Sequence, residues 1–111
     1  MLHVPGYYEY CCRVKVVAGH DVLERIPAIL ERVHATRPMI VTDRGVAGAG
    51  LIDVMTAAMG DQVTIGGIED DVPPDSSIEA VRRIAEAYRS NRCDALIAVG
   101  GGAVGATARA P

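Results

Sequence analysis

Six residues near the end of the chain, Gly100-Gly101-Gly102-Ala103-Val104-Gly105, have the types and spacing to hold an anion. They follow a short apolar run, Ala95 to Val99, and open a small-residue segment that reads as a helix start. Glycines at such a junction let a ligand approach the backbone, and the first-turn N–H groups of the helix point at a phosphate. Three successive glycines cost chain entropy that a plain tight turn does not require. Phosphate binding is therefore favoured over a simple turn. The spelling G-x-G-x-x-G alone is weak, because the usual dinucleotide fingerprint follows the first strand and has an acid about 20 positions later.

Asp43 is the second candidate. It ends an apolar segment, Met39-Ile40-Val41. Ligands of open α/β sheets sit beyond the carboxyl ends of the strands. A carboxylate there can accept from both hydroxyls of an adenosine ribose and repels a 2′-phosphate, so NAD is expected over NADP. The competing reading is a turn Asp that caps the loop after it.

Other chemistry finds little support. His3, His20 and His34 are scattered, and no metal site is expected within this chain. There is no Walker A lysine, no nucleophile elbow, and no pairing of Cys11, Cys12 or Cys93 with a histidine. Three cysteines, two of them adjacent, do not describe a disulfide framework, and a cytoplasmic location is expected. Eleven Lys and Arg against fourteen Asp and Glu, with no basic stripe, argue against nucleic acid. No apolar run reaches the ~18 residues that span a bilayer, so no membrane partner is expected.

The scaffold follows from periodicity. Tyr8 to Val17 alternates with period two and reads as an edge strand. Asp21 to about His34 has helical spacing, split by Pro27. Pro38 to Thr42 reads as a buried strand, with Asp43-Arg44-Gly45 as a turn. A helix starts between Gly48 and Leu51 and ends at Gly60, with Met55 and Met59 at core spacing. Val63-Thr64-Ile65 reads as the next strand, then an acidic, Pro-rich loop from Glu69 to Asp75. Ser76 and Glu79 offer a capping box for a helix to about Asn91. Ala95 to Val99, continuously apolar, reads as a central strand. Alternation of this kind means right-handed crossovers and an α/β fold: a parallel sheet with helices on both faces and an N-terminal edge strand or hairpin. At 111 residues, with half of them hydrophobic and almost no aromatics, the chain is one domain with an aliphatic core.

Four ordered stretches resemble a known family. They are Val17-Ala18-Gly19 with Leu23-Glu24-Arg25-Ile26-Pro27; Ile40-Val41-Thr42-Asp43; Asp71-Val72-Pro73-Pro74-Asp75-Ser76-Ser77; and Asp94 through Gly102. The chain resembles the N-terminal domain of iron-containing (group III) alcohol dehydrogenases, relatives of glycerol dehydrogenase and dehydroquinate synthase. The resemblance implies a Rossmann-like NAD(P)-binding domain. In the family a helical domain follows, carrying iron or sometimes zinc on one Asp and three His, and the chemistry is hydride transfer between NAD(P) and an alcohol or aldehyde. By resemblance Asp43 is the coenzyme-selecting acid, and Asp75 stands where the family often has an Asn near the adenine. Gly100, Gly101, Gly102, Ala103 and Val104 resemble the pyrophosphate loop. The family usually reads G-G-G-S-x-x-D-x-x-K; here Ala103, Ala106 and Arg109 replace the Ser, Asp and Lys. Every metal ligand of the family would fall beyond residue 111. The expectation is thus a truncated dinucleotide-binding domain spanning 1–111, inactive alone and binding no iron or zinc itself. The face left by the missing domain is expected to self-associate. The alternatives are a non-catalytic nucleotide-binding module and a degenerate interacting fragment.

Overall fold

The computed structural model describes residues 17–74, 77–101 and 104. The Tyr8–Val17 strand, the N-terminal hairpin, Asp75, Ser76, Gly102 and Ala103 lie outside the described residues, apart from Val17 itself.

Three parallel strands form the sheet: β1 (Pro38–Thr42), β2 (Gly67–Glu69) and β3 (Ala95–Val99), in the order β2-β1-β3. β1 pairs with β2 through Met39↔Gly67 and with β3 from Pro38↔Ala95 to Thr42↔Val99. The helices are α1 (Ile26–Arg32), α2 (Arg44–Gly48), α3 (Leu51–Met59) and α4 (Ile78–Ser90). This is the expected α/β arrangement of a parallel sheet flanked by helices.

β1 is buried along its whole length, and its alternation divides the core. Met39 and Val41 pack with Val72, Ile84 of α4 and Val104 on one face. Ile40 packs with Ile52, Met55 and Met59 of α3 on the other. The two methionines occupy the core positions their four-residue spacing indicates. Burying each such side chain contributes about 1.5–3 kcal/mol. Among the described residues the central strand is β1, not β3 as its apolar run indicated. Among those residues β3 has one neighbour, and Ala98 on it is exposed.

The second edge strand also differs from expectation. Val63-Thr64-Ile65 carries no ladder; pairing begins four residues after Val63, at Gly67. Val63 and Ile65 instead pack as partly buried side chains against the α3 cluster. The glycines are needed where the chain enters the sheet. A Cβ on Gly66 would stand 2.5 Å from Cys93 Sγ, and one on Gly67 2.8 Å from Asn91 Nδ2.

Pro27 is the second residue of α1, after a 3-10 turn over Val22–Arg25, so the segment divides as expected. Both α1 and α4 end with a residue in the left-handed region, His34 (φ 57) and Arg92 (φ 54). Ala35 N–H donates back to Leu30 O and Cys93 N–H to Tyr88 O, each at 2.9 Å. These Schellman-type closures turn the chain straight into β1 and β3. α4 starts differently from the expected capping box. Ser77, not Ser76, caps it, its Oγ accepting from Ala80 N–H at 3.1 Å. Glu79 is therefore one position short of a reciprocal bond to the cap.

Candidate functional site

Thr42, the last residue of β1, is fully buried and ties three segments together. Its hydroxyl donates to Val99 O at 2.7 Å, at the end of β3. Its carbonyl accepts from Val72 N–H at 3.2 Å, in the Pro-rich loop. The carboxyl ends of β1 and β3 and the loop after β2 thus converge on one point.

Asp43 comes next, in extended backbone (φ −108, ψ 169). Its Oδ1 accepts from Val46 N–H at 2.8 Å. The expected turn at Asp43-Arg44-Gly45 is the first turn of α2, a five-residue helix for which Asp43 is the cap. Capping uses one carboxylate oxygen. The other, Oδ2, faces Gly100 across the sheet: a Cβ on Gly100 would lie 3.5 Å from it.

Gly100 has φ +145, a conformation side chains rarely adopt, and its missing Cβ would also lie 3.0 Å from Val104 Cγ2. That accounts for one glycine by packing. Gly101 is different: a Cβ there would meet no atom of the described residues within 4 Å, as is also true of Gly48, Gly50 and Gly60. Val104 is 2% exposed, so its side chain belongs to the core and only its backbone is left to face a ligand. The fold brings together Asp43, Gly100 and Val104, with Gly101 beside them, whereas Asp75, Gly102 and Ala103 lie outside the described residues.

A cleft of about 490 Å³ opens here, lined by Asp43, Arg44, Gly45, Asp71, Val72, Pro73, Pro74 and Val104. That volume is in the range of small-molecule sites. Its rim carries two residues that the sequence did not single out. Arg44 Nε meets Asp71 Oδ1 at 2.8 Å, and its Nη2 donates to Asp71 Oδ2 at 3.2 Å. Arg83 of α4 donates to the Asp71 carbonyl at 3.0 Å and holds the loop against the helix. The only sequence signal for this pair is a single arginine after Asp43 and an acidic run 27 residues on, joined only once β1 and β2 are in register. A second cleft, about 390 Å³ and lined by Pro27, His34, Thr36 and Val63 among others, lies at the amino ends of the strands. Open α/β sheets bind ligands at the opposite end.

Among the described residues no three His, Cys, Asp or Glu side chains come together as metal ligands, so these residues build no iron site. No helix among them is long and apolar enough to cross a membrane.

Comparison with known proteins bears on the family and the fold. The model of the iron-containing alcohol dehydrogenase family matches residues 14–111. The chain is 41% identical over 73 residues to 4-hydroxybutyrate dehydrogenase of Cupriavidus necator, covering 65% of this chain and 18% of that protein. It is 31% identical over 64 residues to alcohol dehydrogenase 4 of Schizosaccharomyces pombe, covering 58% of this chain and 15% of that one. The chain thus spans less than a fifth of these relatives. The fold is that of sulfoacetaldehyde reductase from Bifidobacterium kashiwanohense, solved in complex with NAD+ (TM-score 0.82, 23% identity, 96% of this chain and 28% of that one). Maleylacetate reductase from Agrobacterium tumefaciens shares it too (TM-score 0.78, 14% identity, 96% and 29%). With nearly its whole length matched in sequence and in fold, the chain belongs to the iron-containing alcohol dehydrogenase family.

Proposed function

We propose that this chain is the nucleotide-binding portion of an iron-type alcohol dehydrogenase and that it binds NAD in preference to NADP. The observation that carries the reading is the approach of the Asp43 carboxylate, which lines an open cleft, to the bare backbone of Gly100. The cleft, about 490 Å³, has the volume of a small-molecule site. Asp43 Oδ2 is placed to accept from ribose hydroxyls, while Oδ1 stays bound to Val46 N–H and fixes the carboxylate's orientation. Main-chain N–H groups from Gly100 onward are to face the pyrophosphate. Asp75, Gly102 and Ala103 complete the proposed set, and Val104 contributes through its backbone. A bound nicotinamide coenzyme supplies the hydride chemistry of the family. The chain's own part is to hold the adenosine and phosphates in register. Iron or zinc belongs to the rest of such a dehydrogenase, and the 111-residue chain alone is expected to oxidise no alcohol.

Titration calorimetry tests this. NAD should bind at millimolar affinity or tighter, and Asp43→Ala should weaken it about tenfold, the loss of hydrogen bonds to one charged group. No binding by the native chain removes the reading. Clear NAD-dependent turnover of short alcohols by the pure chain, with iron or zinc added, would show that it is a complete catalyst.

A second reading is self-association. Leu51 and Val54, one turn apart on α3, are 50% and 57% exposed, and Val33 is 64% exposed. Large exposed apolar side chains of this kind mark contact surfaces when they are contiguous. Light scattering at rising concentration reads this directly; a monomer throughout excludes it.

A further inference from the structure

Asp43 is not the only charged group at the rim. Arg44, the next residue, carries the single cationic side chain among the described residues lining the cleft, and its side chain is 80% exposed. A guanidinium in this place is what would recognise a phosphate on the ribose 2′-oxygen. Arg44 is not free to do so. Its Nε and Nη2 are both engaged by the two oxygens of Asp71, a fork-to-fork pair. Asp71 is itself fixed from two sides through its backbone neighbourhood: Arg83 donates to its carbonyl, and Val72 N–H donates to Thr42 O. Neither contact involves the Asp71 carboxylate, so the loop's position does not depend on that group.

We propose that the Arg44–Asp71 pair is a selectivity latch for the coenzyme's 2′-position. Asp71 holds Arg44 neutralised, so the described residues lining the cleft offer a 2′-phosphate no free cation. Among those residues it meets instead the carboxylates of Asp43 and Asp71, with Arg44 already paired. The discrimination expected of Asp43 is thereby shared with a residue on a different element. The pair is exposed, so it is weak enough to be opened by a single substitution. This inference rests on the nucleotide reading above and adds the residue that determines which nucleotide.

The test compares 5′-AMP with 2′,5′-ADP, two probes that differ only in the 2′-phosphate, by calorimetry on the full 111-residue chain. The native chain should bind 5′-AMP more tightly. Asp71→Asn should tighten 2′,5′-ADP about tenfold relative to 5′-AMP, and an unchanged circular dichroism spectrum should show that the variant is folded. Arg44→Ala combined with Asp71→Asn should abolish that gain. If the native chain binds 5′-AMP but Asp71→Asn leaves the ratio unaltered, the latch is overturned and nucleotide binding stands. If the native chain already prefers 2′,5′-ADP, the latch is likewise overturned. If neither probe nor NAD binds, the nucleotide reading fails and the latch with it.

Discussion

The two ends of the sheet each hold an aspartate that accepts hydrogen bonds from the backbone, and they use it differently. At the amino ends, Asp94 accepts from Thr36 N–H at 2.7 Å, the Thr36 hydroxyl at 2.9 Å and Arg37 N–H at 2.8 Å. Both its oxygens are occupied, and it joins the entry of β3 to the entry of β1. Those backbone bonds from Thr36 and Arg37 hold its carboxyl below the ordinary value of 3.8. Nearby, Cys93 backs onto Gly66, and burial pushes its thiol up against the opposing pull of Arg37. At the carboxyl ends, Asp43 caps α2 with one oxygen, and its other oxygen lies beside Gly100 and the cleft. A saturated carboxylate is a brace. A carboxylate half-used by the fold and half-turned to a cleft is equipped for a ligand.

The glycines test that contrast most strongly. Gly66→Ala forces a Cβ into Cys93 Sγ and Arg37 Cγ, and should destabilise the chain by about 1–3 kcal/mol, read as a lower melting temperature. The cost of Gly100→Ala should be of similar size, because it adds strain at φ +145 and crowds Val104. The two should part on NAD: only Gly100→Ala should weaken binding, and equal losses in both variants would erase the distinction between the ends. Next comes Asp43→Ala, expected to cost about 1 kcal/mol as a lost helix cap, in addition to its effect on NAD. An Asp43→Asn variant should restore much of that stability in a denaturant melt without restoring the full affinity.

The smallest effect concerns pH. Because the folded carboxyl of Asp94 titrates below its unfolded value, its contribution to stability is complete above the ordinary carboxylate range. It is lost as pH falls through the lower, folded value. Melting temperatures of the native chain and Asp94→Asn should therefore differ at pH 7 and converge only once pH has fallen well below the ordinary 3.8. NAD affinity at pH 7 should be the same in both. A persistent gap at low pH would mean that Asp94 acts through geometry and not through its charge.

What could be read from the sequence follows a physical line. β1 was plain because an apolar run lay between Pro38 and Asp43. α3 and α4 were plain because their periodicity had a capping residue at one end and a stop at the other. β2 was hidden because its first residue is a glycine, demanded by the close approach of Asn91 rather than by strand propensity. The apolar triplet Val63-Thr64-Ile65 just before it looked the better strand, although its side chains pack without pairing. The cap of α4 falls one residue later than expected because two adjacent serines compete for it. Asp43's position was legible; the division of its two oxygens was not, since that depends on Val46 and on Gly100, which is 57 residues away. Arg44 and Asp71 were invisible for the same reason: their meeting is a property of strand register, which no local pattern encodes.

Thr42 has a consequence for how a ligand would be received. One buried residue anchors the end of β3 by its hydroxyl and the Pro-rich loop by its carbonyl, so the floor and one wall of the cleft hang from a common joint. Two consecutive prolines stiffen the loop beyond that joint. A cavity assembled this way has already surrendered its conformational freedom during folding. Whatever enters it meets walls that need no further ordering, and the entropy that a mobile loop would forfeit on binding is not lost a second time.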